Sequence, residues 1–299
     1  MQDFLRGTLR SALRLLFKGV IGLPIPESIQ RIWMEMVTAT TLAARGAQRE
    51  RAIWGVTGEL VSRRGEDAPR AILYLHGGGY TLGSPNTHKS LSTHLAVAAR
   101  CKVLVPDYRL APEHPYPAAL EDAVSAYRAL LERFPAGQLA IGGDSAGGGL
   151  ALCTALALRK AGLPPPAALL LISPWTDMTL SGETVNTLDS VDPMLGRVWL
   201  SRAAEAYRGG LAPSDPQLSP LFANLAGLPP ILIQVGEDEI LLDDSRRLAE
   251  RAKAARVDVA LEVEAGYWHD FQVHAGVLDA SDAAIARIAG FLDRAWRRT

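Results

Sequence analysis

Cysteine is almost absent: Cys101 and Cys153 are the only two in 299 residues. Two thiols make neither a disulfide framework nor a cysteine metal site. Cys101 stands just before an apolar strand and Cys153 in an apolar helix, so both read as core thiols of a reducing, cytoplasmic protein. Charge of one sign is lacking too. With a net charge of −1 the chain offers no basic surface for nucleic acid. No run of about 18 uncharged apolar residues occurs, which excludes a membrane span of the usual kind. The basic start MQDFLRGTLRSALRLLFKGVIGLP is broken by Arg10, Arg14 and Lys18 and has no small-residue cleavage site, so it reads as mature protein rather than a signal peptide.

What is present is apolar material, 48% of residues, enough for a large core. At the N-terminus Arg6, Arg10, Arg14 and Lys18 recur every fourth residue beside Leu5, Leu9, Leu13, Leu16 and Phe17. On a helix this makes a basic stripe next to an apolar one. The plain expectation is a surface helix with a solvated basic edge; the sharper one is transient contact with a lipid surface.

From about residue 50, short apolar runs alternate with helical patterns. Ile72–Leu75, Val103–Val105, Leu139–Ile141, Ala168–Ile172, Ile231–Val235 and Val259–Val263 read as strands, with an earlier pair within Arg51–Val61. Helical patterns cover Thr87–Ala99, Ala118–Glu132, Ala146–Arg159, Asp243–Ala255 and Ala280–Arg297. Such alternation predicts a mostly parallel sheet with helices on both faces. Residues 1–45 precede the first strand and read as helical. Residues 175–228 are long, irregular and rich in Pro, Ser and Asp, and are expected to carry helices of their own. The two segments together predict a cap over one end of the sheet in residues 46–299.

One turn concentrates the chemistry. Gly143-Asp144-Ser145-Ala146-Gly147 lies between a strand and a helix and fits G-x-S-x-G, the pattern of an exposed, strained nucleophile. A serine hydroxyl needs a base. Of the histidines that follow Ser145, His269 sits in the loop after a strand, while His274 lies further on and is expected to face solvent or pack locally. The acid is sought after strand 231–235, in Gly236-Glu237-Asp238-Glu239; chemistry alone does not choose among the three carboxylates. Asp243 and Asp244 read as caps of the next helix. Upstream, His76-Gly77-Gly78-Gly79-Tyr80 follows a strand, and its bare N–H groups suit an oxyanion hole, with His76 holding the loop rather than moving protons.

These motifs, with DYRLAPEHPYPAALED (Asp107–Asp122), GDSAGGG, SPWTDM (Ser173–Met178) and VGEDEILLDDS (Val235–Ser245), resemble the GDSAG branch of the bacterial hormone-sensitive-lipase esterases, over roughly residues 50–298. The resemblance implies an α/β-hydrolase fold of about eight strands with a helical cap, no metal, no organic cofactor, and a possible homodimer. It implies Ser145 as nucleophile and His269 as base. It also implies Glu239 as acid by register, since Leu241 and Asp243 match the Leu and last Asp of the family's D-P-L-x-D; Asp238 is one place out. Gly78, Gly79 and Ala146 would donate to the oxyanion, with Gly77 completing the loop. The Asp107–Asp122 block would brace the site from below. Tyr80, Trp175, Leu195, Phe222 and Trp268 are candidate pocket lining. The chain departs from the family in Glu239-Ile240 for Asp-Pro, in Tyr267-Trp268 before the histidine and in Asp270 after it.

The expected activity is hydrolysis of short- to medium-chain carboxylic esters through an acyl-enzyme. The alternatives are a lactonase or small-metabolite deacetylase with the same triad, a lipase using the basic stripe, or a non-catalytic binder like the gibberellin receptors, which lack the histidine present here as His269.

Overall fold

The computed structural model describes residues 1–298. Eight strands form one sheet in the order β1-β2-β4-β3-β5-β6-β7-β8. They are β1 Ala47–Trp54, β2 Val56–Arg63, β3 Ala71–Leu75, β4 Lys102–Pro106, β5 Leu139–Asp144, β6 Ala168–Ile172, β7 Ile231–Gly236 and β8 Val259–Glu264. β1 pairs antiparallel with β2, and β2 with β4; all other neighbours are parallel. The sheet is therefore the mostly parallel one expected.

Period-two alternation sorts the side chains of the inner strands onto two faces. Leu73, Leu75, Ile141, Leu169, Leu171 and Ile233 belong to one buried cluster, with Tyr127, Leu130, Leu150 and Leu248 from the helices Ala118–Leu131, Ala146–Lys160 and Leu242–Ala254. Ile72, Tyr74, Val103, Val105, Leu170 and Ile172 belong to the other, with Leu91, Leu95, Ile288 and Leu292 from the helices Lys89–Ala99 and Asp279–Arg297. Both thiols are free and buried, and Cys101 belongs to the second cluster.

β1 and β2 begin and end outside the predicted Arg51–Val61. The edge run Gln48-Arg49-Glu50-Arg51 carries no apolar alternation. It is held by the ladder and by ionic contact across it, Arg49 to Glu59 at 2.7 Å.

The N-terminal segment forms the helix Gln2–Leu13, a π-helical turn Arg14–Lys18, a short turn Gly19–Ile21 and the helix Glu27–Thr38. The segment 175–228 carries helices of its own, Arg197–Tyr207, one turn at Thr184–Thr187 and a 3₁₀ turn at Pro220–Phe222. Side chains such as Asp177, Asp215 and Ser219 take over the backbone accounting in the rest. Asp177 accepts the Thr179 N–H at 2.8 Å, and Ser219 accepts the Met178 N–H at 2.7 Å. The two segments lie against each other. Trp199 Nε1 donates to Gln30 Oε1 at 3.2 Å, and Arg202 donates to the carbonyls of Ile21, Gly22 and Leu23 at 3.0 Å.

The basic stripe lies on the surface, with Arg14 exposed, but its cations are tethered rather than free. Arg10 pairs with Asp238 and lies over the Trp268 ring at 5.7 Å. Arg6 lies over Tyr267 at 5.6 Å. Arg14 donates to the carbonyls of Ser190 and Val191 at 3.0 Å, and Lys18 to those of Asp189 and Asp192. The cations meet the negative ends of loop carbonyls and one carboxylate, which fixes the helix to the body of the protein. No helix among the described residues is long and apolar enough to cross a membrane.

Candidate active site

In an open parallel sheet, loops leaving neighbouring strand tips diverge where the strand order reverses, and a crevice opens there. Here that point lies between β3 and β5. Ser145 follows β5 at φ 53°, ψ −122°, a conformation that L-residues rarely adopt. Two bonds fix the turn: the Ser145 N–H donates to the Ile172 carbonyl, and the Trp175 N–H to the Ser145 carbonyl, both at 2.9 Å. The turn closes only because its neighbours are small. A Cβ on Gly147 would run into the Leu75 and His76 carbonyls at the end of the adjacent strand and just beyond it.

The loop after β3 lies on one side. Gly78 at φ +114° turns the chain so that its carbonyl accepts from Leu82 N–H at 2.8 Å, and a Cβ there would strike that same residue's carbonyl. The Gly77 N–H is bonded to His88 Nε2 at 3.3 Å. The N–H groups of Gly78, Gly79 and Ala146 have no acceptor among the described residues. Ala146 is the first residue of the helix Ala146–Lys160, so its N–H has no partner inside that helix.

Beneath the loop, Asp144 accepts from Tyr74 Oη at 2.7 Å and meets His88 Nε2 at 3.1 Å. His76 stacks on Tyr108 at 4.2 Å between centroids, and Tyr108 Oη donates to the His76 carbonyl. Burial pulls the His76 imidazole down to about 3, which keeps it neutral.

Across the crevice, the loops after β7 and β8 bring Glu239 to His269. His269 Nδ1 and Glu239 Oε1 are 3.1 Å apart. The other Glu239 oxygen accepts from Gly236 N–H at 2.8 Å and Ser173 Oγ at 2.7 Å, so a fully buried carboxylate has its charge satisfied. Asp238 turns away to Arg10. His269 Nε2 lies 3.0 Å from Asp270 Oδ2. Burial would lower the imidazole's pKa, but the carboxylates of Asp270 and Glu239 outweigh it and hold it well above 6.5.

Ser145, His269, Gly78 and Asp270 line one cavity of about 210 Å³. Its apolar wall comes from the N-terminal helices (Leu9, Leu13, Met34, Val37) and the insertion (Met194, Leu195, Trp199). Of the predicted lining, Leu195 is in place and four residues are not. Tyr80, at φ 61°, stacks on Tyr207 at 3.7 Å. Trp175 is buried, with Nε1 donating to the Asp177 carbonyl. Phe222 packs on the core from its 3₁₀ turn. Trp268 is buried beneath Arg10. Aromatic type signals burial in general, not exposure to this crevice.

Asp243 and Asp244 do not cap their own helix. Asp244 accepts from Thr176 N–H at 2.7 Å and Asp177 N–H at 2.9 Å, and Asp243 accepts from Thr184 N–H at 3.0 Å, so both tie the insertion to the body. His274 packs edge-on to Trp268 at 5.8 Å and, rather than meeting solvent, borders the cavity.

The sequence did not mark Ser173, Asp192 or the contacts of Asp144 with Tyr74 and His88. Asp192 accepts from Met194 and Leu195 N–H on one oxygen and from Ile240 N–H, next to Glu239, on the other. The Asp192-Pro193 pair signals a side-chain-capped turn, but not the contact with Ile240.

A fold of this kind with a serine at the sharp strand-to-helix turn defines the α/β hydrolases. A family model described as the alpha/beta hydrolase fold matches residues 72–273. An acetyl-hydrolase of Streptomyces hygroscopicus is 46% identical over 224 residues, 75% of each chain. An esterase of Acinetobacter venetianus is 36% identical over 292 residues, 97% of this chain and 94% of its own. The crystal structure of an esterase from the bacterial hormone-sensitive lipase family superposes with a TM-score of 0.91 at 42% identity, over 99% of this chain and 98% of that one. The chain belongs to the α/β-hydrolase family, within its bacterial hormone-sensitive-lipase group, and is a hydrolase.

Proposed function

We propose that the chain is a serine carboxylesterase acting on short- to medium-chain acyl esters through an acyl-enzyme. The observation that carries this is the convergence of Ser145, on its strained turn, with the His269–Glu239 pair and the N–H groups of Gly78, Gly79 and Ala146 around one apolar cavity. His269 Nε2 takes the Ser145 proton as Oγ adds to the ester carbonyl, and the three N–H groups hold the oxyanion. Glu239 keeps the Nδ1 proton in place and offsets the imidazolium's charge. The imidazolium then protonates the departing alcohol, and water, deprotonated by the same nitrogen, releases the acid. Glu239 fills the acid's role with one methylene more than the family's usual Asp.

The relatives named esterase and acetyl-hydrolase support ester chemistry, and the small volume of the apolar cavity, about 210 Å³, supports a limited acyl length. The test is kcat/KM across p-nitrophenyl esters from acetyl to palmitoyl. A peak at short or medium chains with a fall beyond supports the reading; undiminished turnover of palmitate overturns its substrate class.

A further inference from the structure

The nitrogen that must receive the Ser145 proton is in contact with something else. Asp270 Oδ2 lies 3.0 Å from His269 Nε2, with side chains 9% and 2% exposed. Glu239 holds the opposite nitrogen. The imidazole is thus bracketed by two carboxyl groups, and at 3.0 Å the Nε2–Asp270 contact is favourable only with a proton held between the two.

The Asp270 backbone is fixed. It adopts φ 53°, ψ 35°, and its N–H donates to Ser173 Oγ at 3.2 Å, the hydroxyl that in turn donates to Glu239. Its side chain is less fixed. Oδ1 is buried without a partner, and the residue borders the cavity. A carboxylate with one oxygen unsatisfied beside an open space can rotate away from the ring without breaking any other bond.

We infer that Asp270 is a second carboxylate on the catalytic base, holding His269 as an imidazolium in the free enzyme, so that its release of Nε2 gates the handover of the Ser145 proton. This rests on the reading of His269 as the base. In the resting state the Nε2 proton lies between imidazole and carboxylate. When it departs to solvent, the neutral ring exposes the lone pair that Ser145 needs. The acidic limb of activity then reports this proton, and Asp270 moves it toward higher pH.

The other titratable groups that face the pair are Glu239 after β7, Asp144 at the end of β5, Tyr74 from β3, His88 ahead of the helix Lys89–Ala99 and Asp192 from the insertion. Asp144 is engaged by His88 and Tyr74, and Asp192 by three N–H groups. Among the described residues, Asp270 is the carboxylate in contact with Nε2.

The experiment is the pH dependence of kcat/KM, which reports free-enzyme groups, for wild type, Asp270→Asn and Asp270→Ala on p-nitrophenyl butyrate. Melting curves select folded samples, and Ser145→Ala is run alongside. The acidic limb is expected to fall by about one pH unit or more in both variants, as removal of a charge in contact with the ring requires. A limb that stays in place in both folded variants, or moves upward, overturns the inference. An active Ser145→Ala protein overturns the serine-esterase reading instead, so the two failures are distinguishable.

Discussion

Replacing Glu239 by glutamine tests the active site through hydrogen-bond bookkeeping alone. The carboxylate accepts on both sides: from His269 on Oε1, and from Gly236 N–H and Ser173 on Oε2. An amide has one acceptor and one donor end. If its NH₂ faces Gly236, two donors meet 2.8 Å apart inside the protein, and the orphaned group costs about 1–3 kcal/mol. The favoured orientation therefore points the NH₂ at His269. That forces Nδ1 to accept and moves the ring proton to Nε2, where it cannot take the serine proton. Loss of the right tautomer lowers kcat/KM by about 10⁴-fold, or about 5 kcal/mol in the barrier. Steady-state hydrolysis of p-nitrophenyl butyrate reads the loss, and a melting curve shows whether the fold survives. The contrasting variant is Asp238→Asn. It breaks a partly exposed pair with Arg10, worth about 1 kcal/mol, and leaves the His269 ring untouched. A Glu239→Gln enzyme within about tenfold of wild type, or an Asp238→Asn enzyme that is the more impaired, would refute the reasoning.

Gly147→Ala should abolish soluble folded protein, because the added carbon meets the buried backbone carbonyls of Leu75 and His76; normal expression and melting would show that the turn is looser than described. Asp244→Asn should change the pH dependence of stability. Burial raises the Asp244 carboxyl from 3.8 to about 7 in the folded state, so the fold favours the protonated acid and loses that contribution as pH rises from about 4 through 7. The amide oxygen can still accept from Thr176 and Asp177. The variant's melting temperature should therefore gain on wild type as pH rises from about 4 to 7, and parallel curves would contradict this.

The alternation of apolar runs made the sheet's inner strands legible, because β3 to β7 are buried on both faces. The edge strand β1 was less so: it is mostly polar and is held by its ladder. Motif spacing pointed to the turn of Ser145, the glycine loop and the loops of Glu239 and His269, each tied to a strand tip. The pocket wall was not legible. It is lined by Leu9, Met34 and Trp199, from segments far from the motifs, and which side of a helix faces the cavity depends on docking. That docking rests on Arg14 and Lys18 reaching loop carbonyls, and carbonyl acceptors leave no mark in a sequence.

The central claim is that Ser145 carries the acyl group. Wild type quenched in acid during turnover of a p-nitrophenyl ester, then digested and mapped by mass spectrometry, should show the acyl mass on the peptide containing Ser145. Ser145→Ala should show neither adduct nor turnover. An acyl group on another residue, or turnover that survives loss of the serine, would contradict the account.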